Sequence, residues 1–219
     1  MIIKLLDNSW TDFFSIEFGK KYFQYIENML ERHKDTLCPK NNDIFRIFEL
    51  LDLSNIKVII IGQDPYHNLG EANGIAFGVN KNVKIPPSLK NIDKEIYREY
   101  NKHLKDYSLI NWVKQGVFLI NSIWTVFPNQ PLSCKDWGWE EFTKNLIRYI
   151  YEKNKKVIYL CFGNWASKFI DDLQLSEIIM LKTSHPSPFS ANKGFLGSNI
   201  FKKTNEILNN LNLKTIDWC

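Results

Sequence analysis

Four apolar runs in this chain end in residues able to do chemistry. Residues 58–61 read VIII and stop at Gly62, Gln63, Asp64, Pro65, Tyr66 and His67. Residues 117–120 read VFLI and stop at Asn121. The run 157–162 stops at Gly163-Asn164, and the run 178–181 leads into Ser184-His185-Pro186-Ser187-Pro188. A carboxylate, an imidazole, a phenol and carboxamides are thereby offered at strand-like ends, where they supply charge and hydrogen-bonding edges. Any one of these has an ordinary explanation. Asp-Pro is a common turn, and Asn and His often simply end a strand. Four polar ends in succession, with aromatic residues nearby, are harder to explain that way.

The elements that would position these groups are legible around them. Short β-branched runs bounded by turn residues suggest buried strands of a parallel sheet. In open α/β sheets ligands bind at the carboxyl ends of the strands. Helical spacing occupies the intervals. Phe14, Phe18, Tyr22, Ile26, Met29 and Leu30 fall on one face of a helix over 13–30. Ile44, Ile47, Phe48 and Leu51 repeat at helical spacing, with Asp43 as the expected N-cap. Leu89, Ile92, Ile96 and Tyr100 follow a Pro-Pro-Ser turn in which Ser88 is the expected N-cap. Further helices are expected around 139–150, after Asn164, and at 201–211. The alternation predicts an α/β fold: a three-layer α/β/α arrangement around a mainly parallel four-stranded sheet, preceded by a helical N-terminal segment. No repeat, linker or low-complexity segment divides the chain, so residues 1–219 read as a single domain.

Composition narrows the classes. The chain has 219 residues, 44% of them hydrophobic and 14% aromatic, enough for a substantial core and too many for disorder. Its net charge of +4 permits a polyanionic partner without requiring one. The four cysteines, Cys38, Cys134, Cys161 and Cys219, lack metal-ligand spacing, so neither zinc nor an iron–sulfur cluster is expected. No stretch approaches membrane-spanning length, and the apolar run in MIIKLLDNSW is too short for a signal peptide. A soluble, cytoplasmic protein without a membrane partner is the expectation.

The motifs GQDPYH at 62–67, Pro-Pro-Ser at 86–88, LIN at 119–121 and HPSPFS at 185–190 resemble, in order and spacing, those of the family 1 uracil-DNA glycosylases. The similarity runs from about Trp10 to near the C-terminus. The resemblance implies an enzyme that extrudes uracil from DNA and hydrolyses its N-glycosidic bond without metal or cofactor. It implies that Asp64 positions water and stabilises a cationic sugar, and that His185 donates a hydrogen bond to the departing base. It assigns Asn121 to reading the base, Phe77 to stacking beneath it, Tyr66 to blocking the thymine methyl group, and Gln63 to uracil O2. Contacts to DNA would come from His67, Ser88, Gly163, Asn164, Ser187, Phe189 and Lys193, with Lys84 and Lys90 adding positive charge. The implied partner is uracil-containing DNA, single- or double-stranded. A uracil-glycosylase inhibitor protein is a further candidate, and a monomer is expected.

The chain departs from the family pattern at four places. Phe189 stands where the family usually has Leu, Asn164 where it has Ser, and Lys193 where it has Arg; the segment NLGEANG after His67 lacks the usual Pro. Phe can still wedge into a base stack, Asn can still cap and donate, and Lys loses the bidentate fork of Arg. Two other classes compete with the enzyme. A DNA-binding accessory protein on the same fold would be free to lose Asp64, Asn121 or His185, and all three are present. A nucleotide-binding domain would need a Gly-rich phosphate loop, and neither GxGxxG nor GxxxxGK[ST] occurs.

Overall fold

The computed structural model describes residues 8–219. The apolar N-terminal run at residues 2–6 lies outside them. Strands β1 (Val58–Gly62), β2 (Val117–Asn121), β3 (Ile158–Phe162) and β4 (Ile179–Thr183) form one sheet in the order β2-β1-β3-β4. Every pairing is parallel. β1, β3 and all of β2 except Asn121 are buried, which is why they read as continuous apolar runs rather than alternating ones. β4 lies at the sheet edge, is only half-buried, and extends two residues beyond the expected end.

Helices α1 (Thr11–Phe18), α2 (Lys21–Arg32) and α6 (Trp139–Lys153) cover one face. An aromatic cluster binds them to the sheet: Trp10 stacks on Phe118 of β2 at 5.4 Å, and Phe142 of α6 meets Phe13, Phe14 and Phe23. Helix α8 (Ile200–Asn210) lies on the other face, where Phe162 of β3 packs edge-on against Phe195 and Phe201. α4 (Pro87–Tyr100) packs beside α8. Short helices α3 (Arg46–Leu50), α5 (Ile110–Val113) and α7 (Asn164–Asp171) complete the layers. The three-layer α/β/α expectation holds, with a sheet that is wholly rather than mainly parallel.

Three local expectations are corrected. The helix expected over 13–30 is two helices, because Lys20 turns to extended dihedrals after Gly19. That break lets Phe14, Phe18 and Phe23 converge, with ring centroids 5.4–6.5 Å apart. Asp43 does not cap α3. It closes a 3-10 turn over Asn41–Asp43, and its carboxylate lies 3.6 Å from Arg46 in the first turn of the helix. Ser88 is not an N-cap either. Pro86 occupies that position, Pro87 opens the helix as prolines favour, and Ser88 is the second helical residue. Its hydroxyl is therefore not spent on capping.

Candidate active site

Parallel strands aligned in register bring their polar ends to one edge. Gly62 of β1 lies beside Asn121 of β2, and Phe162 of β3 beside Thr183 of β4. At this edge opens a cavity of about 240 Å³. Its lining includes Gln63, Asp64, Tyr66, His67, Phe77, Ser88, Asn121 and His185. Eight of the residues singled out in the sequence thus meet at a single cavity.

The Asp64 carboxylate is half-buried. Its Oδ2 accepts the Leu132 N–H at 2.8 Å, and its other oxygen takes no hydrogen bond from another residue. Burial raises the carboxyl above its ordinary range, partly offset by that N–H and by the nearby His67. The Nδ1 of His67 is buried without a hydrogen-bond partner among the described residues.

Asn121 presents an uncommitted carboxamide. Its side chain makes no hydrogen bond among the described residues, while its backbone pairs with β1 and its carbonyl accepts from Thr143 Oγ1 at 3.3 Å. The side chain lies over Gly62, where an added Cβ would come within 2.2 Å of Asn121 Oδ1. Glycine is thus the residue that lets the carboxamide lie back along the sheet edge. The Gln63 side chain is exposed, while its carbonyl is tied down by the Ile123 N–H at 2.9 Å and the Ser122 hydroxyl at 3.0 Å.

His185 is oriented by its own loop. The Ser187 N–H donates to Nδ1 at 3.0 Å, and the Ser190 hydroxyl donates to the His185 carbonyl at 2.8 Å. Burial lowers the imidazole from its ordinary value, favouring the neutral ring. In a neutral ring whose Nδ1 accepts, the proton resides on Nε2, which is then a donor with no partner among the described residues. Gly163 at φ +95 permits the close approach, since a Cβ there would come within 3.0 Å of His185 Cβ.

Phe77 and Tyr66 shape the walls. Phe77 is half-buried, 5.7 Å from Phe162 and 6.0 Å from the His185 ring between centroids. Its φ of +64 is a left-handed conformation that a bulky residue enters only when its surroundings impose it. Tyr66 donates its hydroxyl to the Phe77 carbonyl at 3.3 Å, and burial pushes that phenol up from its ordinary value. The residue fixing this loop was not anticipated. Asn73 is 1% exposed, donates to the carbonyls of Val79 and Ser108 at 3.2 and 3.0 Å, and accepts the Ile75 N–H at 3.0 Å. Its only sequence signal was an Asn in a Gly-punctuated segment.

Three of the five remaining predicted DNA contacts border a second, open groove of about 860 Å³ that shares His185 with the first cavity. Gly163, Asn164 and Lys193 line it. Asn164 is the first residue of α7, as expected. Ser187 and Phe189 line neither space. Ser187 pairs with Ser190 at 2.9 Å between hydroxyls, and Phe189 projects into solvent, 89% exposed. Among the described residues no helix is long and apolar enough to cross a membrane. All four cysteines are buried and unpaired, and burial pushes Cys161 up to about 12, so it is an unreactive core thiol.

Comparison with known proteins gives a consistent result. The profile described as the Uracil DNA glycosylase superfamily matches residues 48–209. The uracil-DNA glycosylase of Borrelia duttonii is 44% identical over 218 residues, covering 97% of this chain and 98% of that protein. That of Bacillus subtilis is 38% identical, covering 99% and 97%. Among solved structures, mimivirus uracil-DNA glycosylase superposes with a TM-score of 0.90 at 30% identity, over 98% of this chain and 87% of that one. A single-residue variant of mimivirus UNG in complex with UGI superposes equally well at 31% identity, over 98% and 89%. Motifs, sheet order and near-full-length similarity agree, and this chain belongs to the uracil-DNA glycosylase superfamily.

Proposed function

We propose that the protein is a monofunctional uracil-DNA glycosylase, a base-excision repair hydrolase that releases free uracil and leaves an abasic site. The observation carrying this reading is the 240 Å³ cavity lined together by Asp64, Asn121, His185, Phe77 and Tyr66. A base within a duplex cannot reach such a cavity, so the nucleotide must be extruded at a cost of a few kcal/mol of unstacking. Phe189, exposed at the apex of the loop after His185, is suited to occupy the vacated stack.

Hydrolysis breaks the bond between uracil N1 and deoxyribose C1′. The electron pair leaves with uracil, the sugar becomes cationic, and water adds to C1′ with loss of a proton. Asp64, with Oδ2 held by the Leu132 N–H and no other residue bonded to its carboxylate among the described residues, is suited to orient that water and to face the cation. The neutral His185, presenting Nε2–H, is suited to donate to uracil O2 as charge develops there. A preorganised donor of this kind is typically worth roughly 10²–10³ in rate. The free Asn121 carboxamide can accept from uracil N3–H and donate to O4. Cytosine offers the reverse pattern and would leave both groups unpaired in a buried site. Phe77 would stack beneath the base. The Tyr66 ring would exclude the thymine methyl, a discrimination that attraction alone limits to about 1–3 kcal/mol. Gln63 would serve O2, and His67 with its unpaired Nδ1 would support the site or meet a phosphate. Ser88, Gly163, Asn164, Ser187 and Lys193 would hold phosphates, the first and fourth through free or shared hydroxyls. The chain is proposed to act as one domain and as a monomer, in the cytoplasm, on single- or double-stranded DNA. A UGI-type inhibitor is a proposed partner, since a structural neighbour is a complex with UGI.

The test is release of free base from an oligonucleotide with one uracil, in the presence of EDTA, followed by alkaline cleavage of abasic sites. Cleavage of the uracil strand, with matched thymine and cytosine strands intact, is expected. Folded protein that binds this DNA and releases nothing would overturn the proposal in favour of an accessory DNA-binding role.

A further inference from the structure

A third groove, of about 290 Å³, lies between the first turns of α4 and the loop that carries Phe189. Pro87, Lys90, Asn91 and Lys94 form one wall, and Pro188, Ala191, Asn192 and Leu196 the other. Of the residues given a role in the site from the sequence, only Lys90, expected to add positive charge beside the DNA contacts, lines it. The two walls are stitched together by the Asn91 amide, which donates to the Pro186 carbonyl at 2.8 Å. Its position is informative. Pro87 immediately precedes Ser88, which lines the cavity, and Pro188 immediately precedes the exposed Phe189. A strand leaving the cavity beside Ser88 would meet this groove next.

Its charge is one-sided. Lys90 and Lys94 are exposed, and neither forms an ion pair among the described residues. The acidic residues of α4 are all turned inward. Asp93 is held by His103 at 2.8 Å and by the Leu104 N–H at 2.7 Å. Glu95 is held by Arg98 and the Gly197 N–H, and Glu99 by the N–H groups of Phe201 and Lys202. The groove therefore presents two uncompensated ammonium groups at the positive end of a 14-residue helix. Lys90 and Lys94 are one turn apart, about 6 Å along the axis. That matches one to two nucleotide steps at roughly 3.4 Å of rise per strand. Pro188, Ala191 and Leu196 supply the apolar surface that a deoxyribose ring can lie against.

We propose that this groove is a further segment of the nucleic-acid interface. It takes the sugar-phosphate backbone of substrate DNA beyond the extruded nucleotide, with Lys90 and Lys94 each neutralising one phosphate. The proposal rests on the glycosylase reading for the identity of the polyanion, and its test is separable from that reading.

The test uses the full chain and a uracil-free duplex of about 20 base pairs, with binding measured between 50 and 200 mM salt. Each phosphate contact contributes roughly 0.9 to the slope of log K against log salt. Lys90→Gln/Lys94→Gln should therefore lower that slope by about 1.8. Its affinity deficit should narrow roughly tenfold across this salt range. A charge-matched control, Lys155→Gln/Lys156→Gln, changes two exposed lysines just before β3, at the opposite edge of the sheet, and should leave the slope unchanged. Equal slopes for wild type and the α4 variant, with both folded by circular dichroism, would overturn the proposal. So would an equal loss in the control, which would reduce the effect to net charge. Failure of the wild type to release uracil would sink the glycosylase reading alone, because the slope is read on DNA without uracil.

Discussion

Asp64 and Glu95 are both carboxylates withdrawn from water, and their surroundings treat them differently. Glu95 is fully buried on α4, and both of its oxygens are engaged: Oε2 by the Gly197 N–H at 2.7 Å and Arg98 Nε at 3.2 Å, Oε1 by the Asn199 N–H at 2.9 Å and the Ser198 hydroxyl at 3.4 Å. Every lone pair has work inside the protein, and the result is a clamp joining α4 to the loop before α8. Asp64 receives a single N–H from another residue, that of Leu132, beside its own backbone N–H, and faces a cavity. A buried polar group left partly unsatisfied costs stability. The fold tolerates that cost at Asp64 and avoids it at Glu95. The contrast separates a carboxylate whose bonds are spent inside the protein from one left available at a cavity, which is what the proposed role of Asp64 requires.

The largest effect that would sharpen the contrast is on turnover. Asp64→Asn should slow uracil release by about 10²–10⁴-fold, while its melting temperature should not fall, because the amide still accepts the Leu132 N–H and no longer carries a charge that burial opposes. His185→Ala should lower kcat by roughly 10²–10³ by removing the oriented donor; a change confined to KM would assign the ring to binding only. Gly62→Ala forces the Asn121 carboxamide aside and should reduce kcat/KM by up to about 10²-fold, since a shift of an ångström in a positioned group has that scale. Circular dichroism should show the fold retained. The smallest effect lies at Glu99, beside Glu95, where burial raises the carboxyl to about 7 against an ordinary 4.5. The folded state then holds a proton that the unfolded chain gives up above 4.5. The stability this contributes is complete below pH 4.5 and is lost as pH rises through about 7. Melting temperature should decline between pH 5 and 8, and Glu99→Gln should flatten that decline.

The two regions were not equally legible in the sequence. Strand runs and the polar residues at their ends were readable because a strand buried on both faces must be apolar throughout and stop abruptly. The cavity followed from topology, since parallel strands in register bring Asp64, Asn121 and His185 to one edge. What lay out of reach depends on partners distant along the chain. The Leu132 N–H that orients Asp64 is 68 residues away, and the N–H groups that hold Glu95 are 102 and 104 residues away. Asn73 looked like a loop residue and proves to organise the loop that holds Phe77. The break at Lys20 was invisible to periodicity because Phe14, Phe18 and Phe23 serve one cluster on both sides of it. Ser88 and Asp43 have the residue types of caps, but type alone does not say that α4 begins one residue before Ser88 and α3 three residues after Asp43.

The most direct test sets the two carboxylates side by side. Single-turnover release from an oligonucleotide with one uracil would be measured at 20 °C for wild type, Asp64→Asn and Glu95→Gln, with a thermal melt of each. The account predicts a double dissociation. Asp64→Asn loses release and keeps its melting temperature. Glu95→Gln keeps release and loses roughly 2–3 kcal/mol of stability, on the order of 4–12 °C in a chain of this size. Undiminished release by Asp64→Asn, or loss of release by a folded Glu95→Gln, would contradict it.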